Sequence, residues 1–119
     1  MDYDVRMATP VPPLETDCRT VKSLLDSGEE FLLLDCRQPE EHAIVSIPEA
    51  KLIPMHDLPG QIAELEPFRD RQVVVHCHHG GRSLQVAAWL RRQGFQQASS
   101  MAGGIEQWAI EIDPTLPRY

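Results

Sequence analysis

The 119-residue chain is 42% apolar and 24% charged, the composition of an ordinary soluble protein with one domain's worth of hydrophobic core. Its formal net charge of −7, from 18 acidic against 11 basic residues, argues against nucleic acid or an anionic membrane as the main partner, because both need a basic footprint. No apolar run approaches the roughly 20 residues that span a bilayer, and Met1–Pro13 is acidic, then proline-rich, unlike a secretory leader or membrane anchor. A cytoplasmic location is expected, with residues 1–12 as an N-terminal extension and residues 13–119 as the domain.

Taken in chain order, a first short strand is expected near Pro13–Glu15. Thr16 or Asp17 can cap a helix running to about Ser27, with Val21, Leu24 and Leu25 on one face and Gly28 closing it. Phe31–Cys36 reads as a strand buried on both faces. Pro39 sits where a first helical turn tolerates it and opens a helix through Ile44. Lys51–Ile53 is a short strand ended by Pro54. A helix is expected around Leu58–Leu65, stopped by Pro67.

Val73–His76 is the clearest strand, a β-branched run. Beyond it lies Cys77-His78-His79-Gly80-Gly81-Arg82-Ser83, then a helix to Gln93 with Leu84, Ala87, Ala88 and Leu90 on its apolar side and Gly94 ending it. A last strand near Ala98–Met101 leads through Gly103-Gly104 into a short helix carrying Trp108, which reads as core with Ile105 and Ile112. Five apolar runs alternating with helical patterns indicate an α/β domain with a mostly parallel sheet.

The chemistry is expected in the segment after Val73–His76. Ligands of an open parallel sheet bind beyond the carboxyl ends of its strands, and Cys77 opens a turn there into a helix N-terminus. Unpaired backbone N–H groups and the helix dipole both favour a thiolate in such a turn. Gly80 and Gly81 are expected to let the backbone curl so that N–H groups face inward, and Arg82 adds a positive charge. The alternative for Cys77, a buried structural thiol, fits this setting poorly. It does suit Cys18 and Cys36, which have no such surroundings. The three cysteines form neither a CxxC pair nor an even set, so no disulfide framework is expected.

The segment Cys77–Ser83 resembles the active-site loop of single-domain rhodaneses, Cys-x-x-Gly-x-Arg-Ser. Leu33–His42, containing Asp35, Arg37, Glu40 and Glu41, resembles the family's N-terminal signature, continued by Ile47-Pro48, Ala50 and Ile53-Pro54. Gly103-Gly104-Ile105 with Trp108 resembles its C-terminal signature. The likeness therefore runs from about Pro13 to Trp108, in the family's order and spacing. Where the family usually shows Gly-His before Ile-Pro this chain has Val45-Ser46, and Glu49 stands where glycine is common.

The resemblance implies a three-layer α/β fold with a mostly parallel five-stranded sheet flanked by helices. It also implies a sulfurtransferase in which Cys77 takes the outer sulfur of thiosulfate or of a protein persulfide, holds it as a persulfide among the loop amides, and passes it to a thiol or cyanide acceptor. No cofactor is implied.

Within the site, His78 and His79 either tune the loop or touch substrate, together with Gly80, Gly81, Arg82 and Ser83. A metal is not expected at the His76–His79 tract, since adjacent residues rarely converge on one ion and no second ligand pair stands at zinc spacing. Arg82 is expected to bind a ligand or brace the loop. Asp35, Arg37 and Glu41 are expected to form an ion-pair network supporting the site. The main rival chemistry is a cysteine phosphatase or arsenate reductase, whose loop reads His-Cys-x5-Arg. Here only four residues separate Cys77 from Arg82, which makes a smaller cradle. A non-catalytic interaction module of the same family usually lacks the cysteine. A persulfide relay within a larger sulfur pathway is the remaining alternative.

Overall fold

The computed structural model describes residues 11–119. Its five strands are β1 (Glu15–Thr16), β2 (Leu32–Asp35), β3 (Lys51–Leu52), β4 (Val73–His76) and β5 (Ala98–Met101), ordered β1-β5-β4-β2-β3 in one sheet. Every neighbouring pair is parallel, so the sheet is wholly rather than mostly parallel among the described residues. The helices are α1 (Cys18–Ser27), α2 (Pro39–Ile44), α3 (Leu58–Gln61), α4 (Gly81–Arg92) and α5 (Gly104–Glu111). The expected extension, residues 1–12, lies almost entirely outside the described residues; the Pro12 carbonyl accepts a hydrogen bond from Arg91 Nη2 at 2.5 Å.

Local chemistry accounts for the helix ends. The Asp17 carboxylate accepts the Thr20 N–H at 2.8 Å and so caps α1, which Gly28 closes in the left-handed conformation at φ 72°. Pro39 begins α2, where its missing N–H costs nothing. Glu41 Oε1 reaches back to the Gln38 N–H at 3.0 Å, satisfying a donor that the helix leaves free.

Strands β2 and β4 are buried along their whole length, and their residues alternate between two cores. On one face Leu32, Leu34, Val73 and Val75 pack with Leu58, Leu65, Phe95 and the α4 residues Val86, Ala87 and Leu90. On the other, Leu33, Val74 and Met101 pack with Cys18 and Val21 of α1 and with Ile105 and Trp108 of α5. Helices thus cover both faces, giving three layers and leaving the carboxyl edge of the sheet for the site.

Two helical segments differ from the sequence reading. In place of a helix over Leu58–Leu65 there is one α-turn, Leu58–Gln61, followed by a 3₁₀ stretch, Ile62–Phe68, that contains Pro67 instead of stopping before it. Gly60 weakens an α-helix there, and Pro67 can neither donate to residue 63 nor tolerate its carbonyl in α geometry. On α4 the buried side is Ser83, Val86, Ala87 and Leu90, while Leu84 and Ala88 are only partly buried. The stripe is turned because Ser83, a polar residue, faces inward toward Cys77. The Val45-Ser46 departure is absorbed without strain: Val45 is extended at φ −158°, a conformation that needs no glycine.

Candidate active site

Strands β2 and β4 run side by side with Asp35 opposite His76, so Cys36 and Cys77 leave the carboxyl edge of the sheet as neighbours. After Cys77 the chain turns sharply into α4. Gly80 makes that turn at φ 113°, where a Cβ would also come within 3.3 Å of the Gly103 nitrogen. Gly81 is different. It has no left-handed backbone and nothing within 4 Å of a Cβ position, so the curl rests on Gly80 alone.

The turn brings donors onto the sulfur. The Gly80 N–H donates to Cys77 Sγ at 3.1 Å and the Ser83 N–H at 3.3 Å, with Ser83 Oγ 3.4 Å away. Ser83 Oγ is itself fixed, donating to the Gly80 carbonyl at 3.2 Å and lying 2.7 Å from Ser100 Oγ on β5. Cys77 is 1% exposed, so these groups act in a site with little competing water. Cys18 and Cys36 are buried too, but without such donors: burial pushes the Cys18 thiol up to about 11 and Cys36 up to about 12.

The loop is also held from behind. The first amides of α5 donate to it, Ile105 N–H to the Cys77 carbonyl at 2.9 Å and Glu106 N–H to the His78 carbonyl at 3.1 Å. Gly104, at φ 60°, permits this approach; a Cβ there would stand 2.6 Å from the Cys77 oxygen and press on the His78 carbonyl. The sequence marks Gly103-Gly104 as a turn and a family signature, and the close approach explains the second glycine.

Arg82 does not point a free cation at the sulfur. Its guanidinium forms a two-pronged pair with Glu41, Nη1 to Oε1 at 2.7 Å and Nη2 to Oε2 at 2.9 Å. Those bonds hold the Glu41 carboxyl down to about 2 and raise Arg82 further above its ordinary value. Of the two roles expected for Arg82, the geometry is that of a brace.

Beneath this pair lies a second one, fully buried. Arg37 donates to Asp35 through Nε at 2.9 Å and Nη2 at 2.7 Å, and both side chains are 0% exposed. Arg37 Nη2 also reaches the Val45 carbonyl at 2.7 Å, and His42 Nδ1 lies 2.9 Å from Asp35 Oδ2. Burial alone would raise the Asp35 carboxyl, but the hydrogen bonds from Arg37 and His42 hold it below its ordinary value. Removing one partner of such a buried pair costs about 3–5 kcal/mol. His76, opposite Asp35, is held neutral by burial at about 4, and its Nε2 has no hydrogen-bond partner among the described residues.

His78 and His79 form the rim, their rings stacked with centroids 3.8 Å apart. Together with Glu106 they bring ligand atoms within 4.8 Å of one another. Arg118 pairs with that carboxylate through Oε2. Two residues at the site went unnoticed in the sequence: Ser100 has no motif of its own, and Tyr119 reaches Arg37 and Glu41 from the far end of the described chain. His42 closes the N-terminal signature, where the sequence gives it no role of its own.

The arrangement matches known proteins over most of its length. The rhodanese-like domain profile matches residues 17–111. The chain is 39% identical over 95 residues to a sulfurtransferase of Allochromatium vinosum, covering 80% of this chain and 87% of that protein. It is 38% identical over 95 residues to the chloroplastic rhodanese-like/PpiC domain-containing protein 12 of Arabidopsis thaliana, covering 76% of this chain but only 31% of that protein. Among solved structures, the human single-domain sulfurtransferase TSTD1 superposes with a TM-score of 0.73 at 28% identity, over 84% of this chain and 98% of that one. A rhodanese-like domain protein from Staphylococcus aureus gives 0.72 at 29% identity, over 90% and 99%. With sheet order, loop and signatures in agreement along this span, the chain belongs to the rhodanese-like domain family.

Proposed function

We propose that the protein is a sulfurtransferase that carries sulfane sulfur on Cys77. The Cys77 thiolate attacks the outer sulfur of thiosulfate, forming an S–S bond as the S–S bond of the donor breaks and sulfite leaves. A persulfide donor reacts in the same way and leaves as its thiol. An acceptor thiol or cyanide then attacks the outer sulfur of the Cys77 persulfide and restores the thiolate. The observation that carries this reading is the convergence of the Gly80 and Ser83 N–H groups on Cys77 Sγ. Such fixed donors stabilise an anionic sulfur without reorganising as the charge shifts outward by one atom.

The Arg82 geometry favours sulfur over phosphoryl chemistry. A phosphatase loop needs its arginine around the equatorial oxygens, whereas both Arg82 terminal nitrogens are engaged by Glu41. Asp35, Arg37 and Glu41 act by positioning the loop, and His78 and His79 sit where an incoming donor would meet them. No helix among the described residues is long and apolar enough to cross a membrane. A cytoplasmic setting, which keeps thiols reduced, suits three free cysteines.

A protein persulfide as the physiological donor has one observation in its favour: a net charge of −7 does not concentrate a small dianion at the site. Intact-mass measurement after incubation with thiosulfate, and separately with a cysteine desulfurase and cysteine, tests both readings. The expected result is a gain of one sulfur atom on the Cys77 peptide, reversed by cyanide. No gain from either donor, or a gain that survives Cys77→Ser, rejects the assignment.

A further inference from the structure

Cys36 is a buried thiol that transfer to an outside acceptor does not use, yet it stands beside the reactive one. The register pairs Leu34 with Val75 and Asp35 with His76, and the Cys36 N–H donates to the His76 carbonyl at 3.1 Å, which carries the pairing past the ends of β2 and β4. Positions 36 and 77 therefore lie opposite each other on neighbouring parallel strands, which run about 4.8 Å apart in such a ladder. Side chains alternate along a strand, and both cysteines fall in the core of Leu34 and Val75. Cys18 belongs to the other core, across the sheet. After burial, the main influence raising the Cys36 thiol is negative charge on Cys77, ahead of that on its own neighbour Asp35.

We propose that Cys36 is a resolving thiol, which discharges the Cys77 persulfide as hydrogen sulfide when no outside acceptor arrives. The proposal rests on Cys77 being the sulfur carrier. The Cys36 sulfur attacks Cys77 Sγ, and a Cys36–Cys77 S–S bond forms as the bond from Cys77 Sγ to the outer sulfur breaks. The outer sulfur leaves as hydrosulfide, taking the proton of the Cys36 thiol. That sulfur is reduced to sulfide while the two cysteines are oxidised to a disulfide, so no other oxidant enters. A disulfide needs Cα atoms roughly 4.4–6.8 Å apart, a separation that neighbouring strands of a parallel ladder provide. The Gly80 and Ser83 amides that steady charge on the carried sulfur also steady it as it leaves. Burial holds the Cys36 thiol up at about 12, so little of it is ionised near neutral pH, and discharge is slow beside transfer to an outside thiol or cyanide. In that transfer Cys36 only packs. The disulfide takes Cys77 out of use until a dithiol reduces it.

The test loads the wild type, Cys36→Ala, Cys36→Ser and Cys18→Ala with thiosulfate under nitrogen, removes the excess, and adds no acceptor. Intact mass, non-reduced peptide mapping and free sulfide are then followed over time. The wild type and Cys18→Ala are expected to lose the added sulfur as sulfide and to end two hydrogens lighter than the reduced chain, with the Cys36 and Cys77 peptides linked. Dithiothreitol should restore their ability to load. Both Cys36 variants should keep the persulfide about tenfold longer or more, since only the slower reaction between two chains remains to them. If Cys36→Ala does not fold, Cys36→Ser, which keeps the side chain's size, decides alone. Equal persistence in the wild type and a folded Cys36 variant overturns the proposal, as does sulfide released without a Cys36–Cys77 link. A failure of the parent reading looks different: no variant, Cys36→Ala and Cys36→Ser included, then gains sulfur at all.

Discussion

Cys36 and Cys77 make a natural experiment within one molecule. Both follow adjacent parallel strands, both are almost completely buried, and the residues before them, Asp35 and His76, are paired in register. What differs is the next few residues. After Cys36 the chain enters α2 through Gln38, whose N–H is taken by Glu41, and Pro39, which has none. After Cys77 it curls at Gly80, and two amides turn onto the sulfur. Burial therefore pushes Cys36 up to about 12, while Cys77 gains donors in the same dry surroundings. Position at a strand end does not by itself make a thiol useful; the backbone that follows does.

The largest test of this contrast is chemical. Cys77→Ser should reduce sulfur transfer to background, because a hydroxyl forms no persulfide, whereas Cys36→Ala should leave transfer within about twofold, as expected of a residue that packs but does not react. A thiosulfate:cyanide assay with urea unfolding of both variants checks it. Transfer retained by Cys77→Ser, or lost in a stably folded Cys36→Ala, would dissolve the distinction.

A smaller effect concerns the pair beneath the two thiols. His76 is held at about 4 by burial, against about 6.5 in the unfolded chain, so the unfolded state binds more protons in between. Stability should therefore fall as pH drops from 6.5 toward 4 and level off below, by ~3 kcal/mol in all. Between pH 4.5 and 6.5 this lies above the window of Glu41, whose stabilisation is lost only as pH falls from its ordinary 4.5 toward about 2. His78 is depressed in the same direction, so His76→Leu should flatten the slope without abolishing it. Urea unfolding across that range measures it; the same slope in wild type and variant would show that His76 is not the group responsible.

The smallest effect separates neighbouring glycines. Gly80→Ala forces a side chain into left-handed backbone at a cost of about 1–3 kcal/mol and should disturb the amide on Cys77. Gly81→Ala, in open helical space, should change stability by no more than about 0.5 kcal/mol and leave transfer intact. Equal behaviour of the two variants would mean that the curl does not orient the donors.

Much of this was legible from local signals. The β-branched run Val73–His76 and the strand Ala98–Met101 stand where the sequence placed them, and the Asp17 cap and Gly28 stop bound α1. The two-sided burial of β2 followed from an apolar run without alternation. What local signals missed depends on distant partners. Arg82 looks like a free cation until Glu41, 41 residues earlier, takes both its terminal nitrogens. Tyr119 meets Glu41 across 78 residues and belongs to no pattern around it. The 3₁₀ stretch around Pro67 was misread because one proline reshapes several hydrogen bonds before it, not only those after it.

The grip of α5 on the loop sets an order of events during synthesis. The carbonyls of Cys77 and His78 accept from the amides of Ile105 and Glu106, and Gly104 must be seated before either bond can form. A nascent chain that has released α4 but not α5 from the ribosome can pair β2 with β4, yet its sulfur pocket lacks a back wall. Such a chain carries its cysteine without the scaffold that fixes the loop. Reactivity is therefore expected to mature late in synthesis, after most of the sheet has been made.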